Sequence, residues 1–219
     1  MTVPPIITIV GRSNSGKTTL VEKLVRELTG RGYRIATIKD SHKQPTFDAE
    51  GKDSARHAAA GSITTAIRTQ TQIVIIHNKS NTEASLDELV RLLGEDADFI
   101  IAEGFKYANA PKIEVHRAGM TLLENPQGLI AVATDEKLDI KVPQFDINDF
   151  SGICDLLEKE FIIPNQHRIA LYINNTPVDL KEFPDEIIEN VITNMVHSLK
   201  GVNHIENIDI SIRKSENKS

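Results

Sequence analysis

Eight residues near the start of the chain carry its most specific chemistry: Gly11-Arg12-Ser13-Asn14-Ser15-Gly16-Lys17-Thr18, followed by Thr19-Leu20. Two glycines with four residues between them, then lysine and a hydroxyl residue, form the spacing of a phosphate-binding loop. Gly11 and Gly16 admit backbone conformations closed to residues with side chains. The amides around Ser13, Asn14 and Ser15 can therefore converge on an anion. A helix opening at Lys17 turns its unpaired N–H groups and the positive end of its dipole the same way. Lys17 adds a mobile ammonium for the β- and γ-phosphates, the Thr18 hydroxyl is a candidate Mg²⁺ ligand, and Thr19 shares that first turn.

Such a loop needs an acid at the end of a neighbouring strand. Asp98-Phe99-Ile100-Ile101-Ala102-Glu103-Gly104 supplies one, because four apolar residues deliver Glu103 to the carboxyl edge of a buried strand. Glu103 is the second candidate metal ligand and, with Lys17, the candidate catalytic pair.

The elements that must hold these groups can be read from hydrophobic spacing. Ile6 to Val10 is a buried strand leading into the loop, and Leu20, Val21, Leu24, Val25 and Leu28 repeat at helical spacing until Gly30 and Gly32. Strands are expected at Arg34 to Lys39, Ile63 to Arg68, Ile73 to His77 (paired with the preceding one), Asp98 to Glu103, Lys112 to His116 and Leu129 to Ala133. Helices are expected at Lys52 to Ala60, around Leu86 to Leu93, and at Ile153 to Phe161. Strands alternating with helices predict an α/β fold, a mostly parallel sheet flanked by helices in the manner of P-loop NTPases. Residues 1–164 would form this nucleotide-binding domain. Residues 165–219 read as a small α+β extension: alternation at Ile169, Leu171 and Ile173, one apolar helical stripe from Ile187 to Leu199, and a last strand at Ile208 to Ile212.

Composition narrows the classes. A hydrophobic share of 40% in 219 residues is that of a globular protein with a substantial core. A formal charge of −6 argues against a broad nucleic-acid surface. No segment reaches the length of a membrane span, and Met1-Thr2-Val3-Pro4-Pro5-Ile6 lacks a basic leader region, so a cytoplasmic protein is expected. The single cysteine, Cys154, lies on an apolar helix face and reads as buried packing.

With these residues in hand, the chain resembles the MobB family. The phosphate loop is followed by Ile38-Lys39 and His42, then Asp48-x-x-Gly51-Lys52-Asp53-Ser54, Glu103-Gly104-Phe105-Lys106, Pro111-Lys112-Ile113-Glu114-Val115, Ile130 to Asp135 and Phe145 to Asp149. The resemblance runs from about Ile6 to Phe161. It implies a GTP-binding adapter of molybdenum cofactor biosynthesis with Mg²⁺ and weak GTP hydrolysis. That adapter assists a MobA-like guanylyltransferase in attaching GMP to molybdopterin. It also implies a homodimer and leaves molybdopterin a candidate ligand. His42, Lys52 and Asp53 would border the nucleotide cleft; Asp53 could equally cap a helix. Members commonly carry a second histidine after the Ile-Lys pair, where this chain has Asp40, and the core family lacks the extension from about Gln166.

For the base, Asn78-Lys79-Ser80-Asn81 approaches the guanine motif of GTPases, but Asn81 offers one acceptor oxygen where the motif needs a carboxylate. It is read as a polar turn. Asp135, at the end of the Leu129 to Ala133 strand, is the candidate for the guanine edge. Arg12, Arg56 and Arg68 are possible cations, but none lies in a recognisable lid, so slow hydrolysis is expected. A small-molecule kinase would show an arginine-rich lid, and a metal-insertion GTPase a histidine-rich or cysteine-bearing segment. A nucleotide-free relic would bind nothing.

Overall fold

The structure, a computed structural model, describes residues 4–41, 53–78, 83–93, 96–124 and 126–165, and beyond these 169, 171–173, 176–178, 182–202, 205, 208, 210 and 212. The chain divides into two compact units, with the boundary between Gln166 and His167.

In the larger unit, β1 (Ile6–Val10) leads through the loop into α1 (Lys17–Gly30) and β2 (Ile35–Lys39). After α2 (Asp53–Ala59), the strands β3 (Thr64–Arg68) and β4 (Ile73–His77) form an antiparallel hairpin with Thr64 opposite His77. Then come α3 (Leu86–Leu93), β5 (Phe99–Glu103), β6 (Lys112–Val115), β7 (Leu129–Thr134), β8 (Gln144–Asp146) and α4 (Phe150–Leu157). Six strands make one parallel sheet in the order β2-β5-β1-β6-β7-β8. The hairpin stays outside it as a sheet of its own, with Ile73 and Ile75 exposed.

The core lies on one face of the parallel sheet. Ile7, Ile9, Phe99, Ile101, Ile113, Val115, Ala131 and Ala133 point toward Leu20, Leu24 and Leu28 of α1 and toward Ile153, Cys154 and Leu157 of α4. Alternation along each strand fixes which residues share that face. The opposite face of β6 carries Lys112 and Glu114, and His116 follows the strand; all three are buried. Backbone from the neighbouring loops holds two of them: Lys112 Nζ donates to the carbonyls of Ala108 (2.5 Å) and Ala110 (3.0 Å), and Glu114 Oε1 accepts from the Leu123 N–H at 2.8 Å.

The sequence reading holds for the main elements with three differences. Gln144–Asp146 is a strand that periodicity did not mark, because three residues on the sheet edge carry too little pattern. The helix expected from Ile153 begins earlier, at Phe150, because the Asp149 carboxylate accepts from the Gly152 N–H at 3.0 Å and caps it. It continues as a wider turn over Glu158–Ile162.

In the smaller unit, β9 (Leu171–Ile173) and β10 (Thr176–Val178) pair antiparallel, and α5 (Glu182–His197) follows. On α5, Ile188, Ile192 and Val196 are half-buried, while Ile187, Val191 and Met195 are exposed. The expected last strand does not form at the described positions 208, 210 and 212. Among the described residues, no helix is long and apolar enough to cross a membrane.

Candidate functional site

The carboxyl edge of the sheet gathers the predicted residues. In the parallel register Ile9 lies beside Glu103, and Glu103 beside Lys39, so the end of β1, the strand acid and the end of β2 are level. Parallel α/β sheets place ligands at that edge.

The loop itself is shaped as its glycines require. Gly11 has φ +145°, and a Cβ there would stand 2.5 Å from the Val115 carbonyl oxygen and 2.8 Å from Ser15 Oγ. Only a residue without a side chain lets the loop pass β6 this closely. Gly16, at the mouth of α1, has φ +101°, and Asn14 is also left-handed at φ +62°. The start of α1 has no side-chain cap and no acidic residue in its first turn. Its free N–H groups therefore keep their demand for an anion. Among the described residues, Ser15 Oγ is buried without a hydrogen-bond partner inside the loop, another polar group that a phosphate would satisfy.

Lys17 Nζ donates to the carbonyls of Arg12 (2.8 Å) and Gly11 (3.3 Å), folded over the loop. Burial lowers its pKa, with Glu103 opposing that shift. The Thr18 hydroxyl donates to Glu103 Oε1 at 2.8 Å, and Lys39 Nζ reaches both oxygens of Glu103 at 3.3 Å. A hydroxyl and a carboxylate this close are a hard-oxygen pair suited to Mg²⁺. The donor set and the cradle at Gly11 thus fit a magnesium-bound triphosphate.

Several predicted residues stand differently. Asp135 lies near the loop, with both carboxylate oxygens engaged: Oδ1 accepts from the Ala118 N–H at 2.7 Å, and Oδ2 from Arg117 Nη1 at 3.1 Å. The Ala118 amide, and then Arg117, hold its carboxyl below the ordinary value. Arg12 donates to the carbonyls of Thr121 (3.2 Å) and Leu122 (3.3 Å) and so pins the segment after β6. Asn78 closes the hairpin by donating from Nδ2 to the Ser62 carbonyl at 3.2 Å, while Lys79, Ser80 and Asn81 lie outside the described residues. His42 and Lys52 lie outside them too. Asp53 opens α2, but its side chain is not among those described. Asp40 donates its N–H to the Glu103 carbonyl at 2.9 Å and so sits directly beside the strand acid.

Two residues at the site carry little signal in the sequence. Lys39 stands there only as part of a motif, although it ends β2 level with Glu103. Arg117 donates from Nε to the Ser15 carbonyl at 3.3 Å, inside the phosphate loop. Its signal was positional: a cation just past the end of β6, at the edge where ligands collect.

A family model described as "Molybdopterin guanine dinucleotide synthesis protein B", MobB, matches residues 6–135. The "Molybdopterin-guanine dinucleotide biosynthesis adapter protein" of Haemophilus influenzae is 40% identical over 157 residues, which cover 70% of this chain and 88% of that protein. The "Putative molybdopterin-guanine dinucleotide biosynthesis adapter protein" of Methanocaldococcus jannaschii is 25% identical over an alignment 239 positions long, gaps included, covering 96% of this chain and 98% of its own. Its match therefore extends into the C-terminal unit. Among solved structures, "Crystal Structure of molybdopterin-guanine biosynthesis protein B (mobB)" is similar with a TM-score of 0.54 at 26% identity, over 70% of this chain and 97% of that one. The family match takes in the phosphate loop, the strand acid and Asp135 in one span, and the chain belongs to the MobB family.

Proposed function

We propose that this protein is the adapter of molybdopterin guanine dinucleotide biosynthesis, that it binds GTP with Mg²⁺ at the loop Gly11 to Thr18, and that it hydrolyses GTP slowly. The observation that carries the reading is the Thr18–Glu103 contact of 2.8 Å at the uncapped mouth of α1. Thr18 and Glu103 would hold Mg²⁺ or its water, and bound Mg²⁺ neutralises charge on the β- and γ-phosphates. The amides of Ser13 to Thr19 would receive the phosphate oxygens, and Lys17 would swing from its carbonyl contacts onto them. Asp135 remains the candidate for the guanine edge, because a carboxylate that accepts two hydrogen bonds keeps further lone pairs. His42, Lys52 and Asp53 are retained as candidate border residues of the cleft.

Slow turnover is supported by the state of nearby cations. Arg12 is committed to two backbone carbonyls, and Arg117 to Ser15 and Asp135. A kinase lid would need such cations to be mobile over the phosphates. An adapter needs only nucleotide-dependent contact with a partner, here a MobA-like guanylyltransferase, with molybdopterin a candidate ligand of the complex. A homodimer through the β3–β4 hairpin is supported by its exposed Ile73 and Ile75 and by its place outside the main sheet.

The test is capture of the cognate guanylyltransferase on immobilised adapter, with and without GTP and Mg²⁺. Retention that rises with both ligands is expected. Equal capture under all conditions would contradict GTP-dependent partnership.

A further inference from the structure

We infer that Arg117 is a positioning residue of the phosphate loop, whose guanidinium clamps the Ser15 carbonyl and thereby aims the Gly16 amide at the phosphates. The inference rests on the nucleotide-binding reading and adds a residue to which that reading gives no role.

In a planar trans peptide the C=O of one residue and the N–H of the next point in opposite directions. Arg117 Nε donates to the Ser15 carbonyl at 3.3 Å, so the Ser15–Gly16 peptide is held by its oxygen from the side of the segment after β6. The Gly16 N–H must then face away from Arg117. Gly16 itself, at φ +101°, has no side chain to hold that orientation and loses more conformational freedom on ordering than other residues. The guanidinium also lies along its flank, since a Cβ at Gly16 would stand 3.6 Å from Nη2.

Arg117 is fixed in its turn. Nη1 donates to Asp135 Oδ2 at 3.1 Å, and Asp135 Oδ1 accepts the Ala118 N–H at 2.7 Å. A continuous chain of contacts therefore runs from the Ala118 amide through Asp135 and Arg117 to the loop carbonyl. Only a planar fork with donors in separate directions serves Asp135 and Ser15 together; a lysine ammonium on a flexible stem would not hold both in register. Through the Ser15 carbonyl the effect of Arg117 falls on the phosphates, whereas its contact with Asp135, the candidate for the guanine edge, bears on GTP alone.

The test uses the full chain and titration calorimetry with Mg²⁺ plus inorganic tripolyphosphate, GTP or ATP, on wild type, Arg117→Ala and Arg117→Lys, with thermal melting alongside. Arg117→Ala is expected to weaken tripolyphosphate and ATP, which make no use of the guanine edge, by a common factor of about tenfold, the scale of one hydrogen bond to a charged group. Arg117→Lys should recover only part of that loss. Unchanged tripolyphosphate affinity would overturn the inference, as would a loss confined to the GTP-to-ATP ratio, which places Arg117 at the base. If Arg117→Ala also lowers the melting temperature, Asp135→Asn decides. That variant leaves the arginine in place but weakens its anchor, so a smaller loss of tripolyphosphate affinity is expected, and none would overturn the inference. Wild type that binds neither tripolyphosphate nor GTP overturns the nucleotide reading itself and the inference with it.

Discussion

Thr18 and Glu103 meet across 85 residues of sequence, the hydroxyl of one donating to Oε1 of the other at 2.8 Å. The first turn of α1 brings one and the carboxyl end of β5 the other, and parallel pairing of β5 with β1 sets both at the same level. The functional reading depends on this junction of helix mouth and strand end.

If these two oxygens hold Mg²⁺, Thr18→Val should remove the magnesium-dependent part of GTP affinity, by about tenfold or more, and leave magnesium-free binding nearly unchanged. Titrations with Mg²⁺ and with EDTA measure that difference directly. A variant whose magnesium response matched wild type would refute the pairing.

Glu114 supplies a pH prediction. Burial raises its carboxyl above the ordinary 4.5, against the Leu123 amide and the charges of His116, Arg12 and Lys106. Among the described residues its Oε2 is buried without a partner. Below pH 4.5 the group is protonated folded or unfolded and contributes nothing. As pH rises past that value the unfolded chain releases its proton first, so stability falls until the folded carboxyl has ionised as well. Glu114→Gln keeps an acceptor for Leu123 and removes the ionisation, so its stability relative to wild type should be greater at pH 7 than at pH 4 in denaturant melts. A difference from wild type that is the same at both pH values would contradict the raised carboxyl.

Cys154 is buried, and its thiol is pushed up to about 12 by that burial. Only the thiolate reacts with maleimides at useful rates. Native protein at pH 8 should remain unlabelled for hours by mass spectrometry, and label rapidly once denatured. Fast labelling of the native chain would place Cys154 outside the core.

The hairpin offers a test of assembly. Ile75→Lys puts a charge on an exposed apolar strand, where surface substitutions usually change stability by only about 0.5 kcal/mol. Light scattering should then report a monomer of ordinary thermal stability. A dimer that survives the change would move the interface elsewhere.

Much of this was legible beforehand, for a physical reason. The loop residues are constrained individually: Gly11 by the Val115 carbonyl at its back, Lys17 by charge, and Thr18 by its hydroxyl, so their types are visible without neighbours. Glu103 was legible because a run of buried apolar residues points to its own end. Arg117 was not, because its role comes from Ser15 and Asp135, which lie near it only after folding. Lys112-Ile113-Glu114-Val115 alternates like a strand with one wet face, yet that polar face is buried. What covers it is loop backbone, whose carbonyls and amides carry no sequence signal. The short edge strand Gln144–Asp146 was missed because three residues cannot establish a period.

If the loop from Gly11 to Thr18 receives a triphosphate, Lys17 supplies the mobile charge that binding needs. Calorimetric titration of GTP and Mg²⁺ into wild type and Lys17→Ala tests this. Saturable binding to wild type and none detectable to the variant is the predicted result. Equal affinity in the two proteins would contradict the claim.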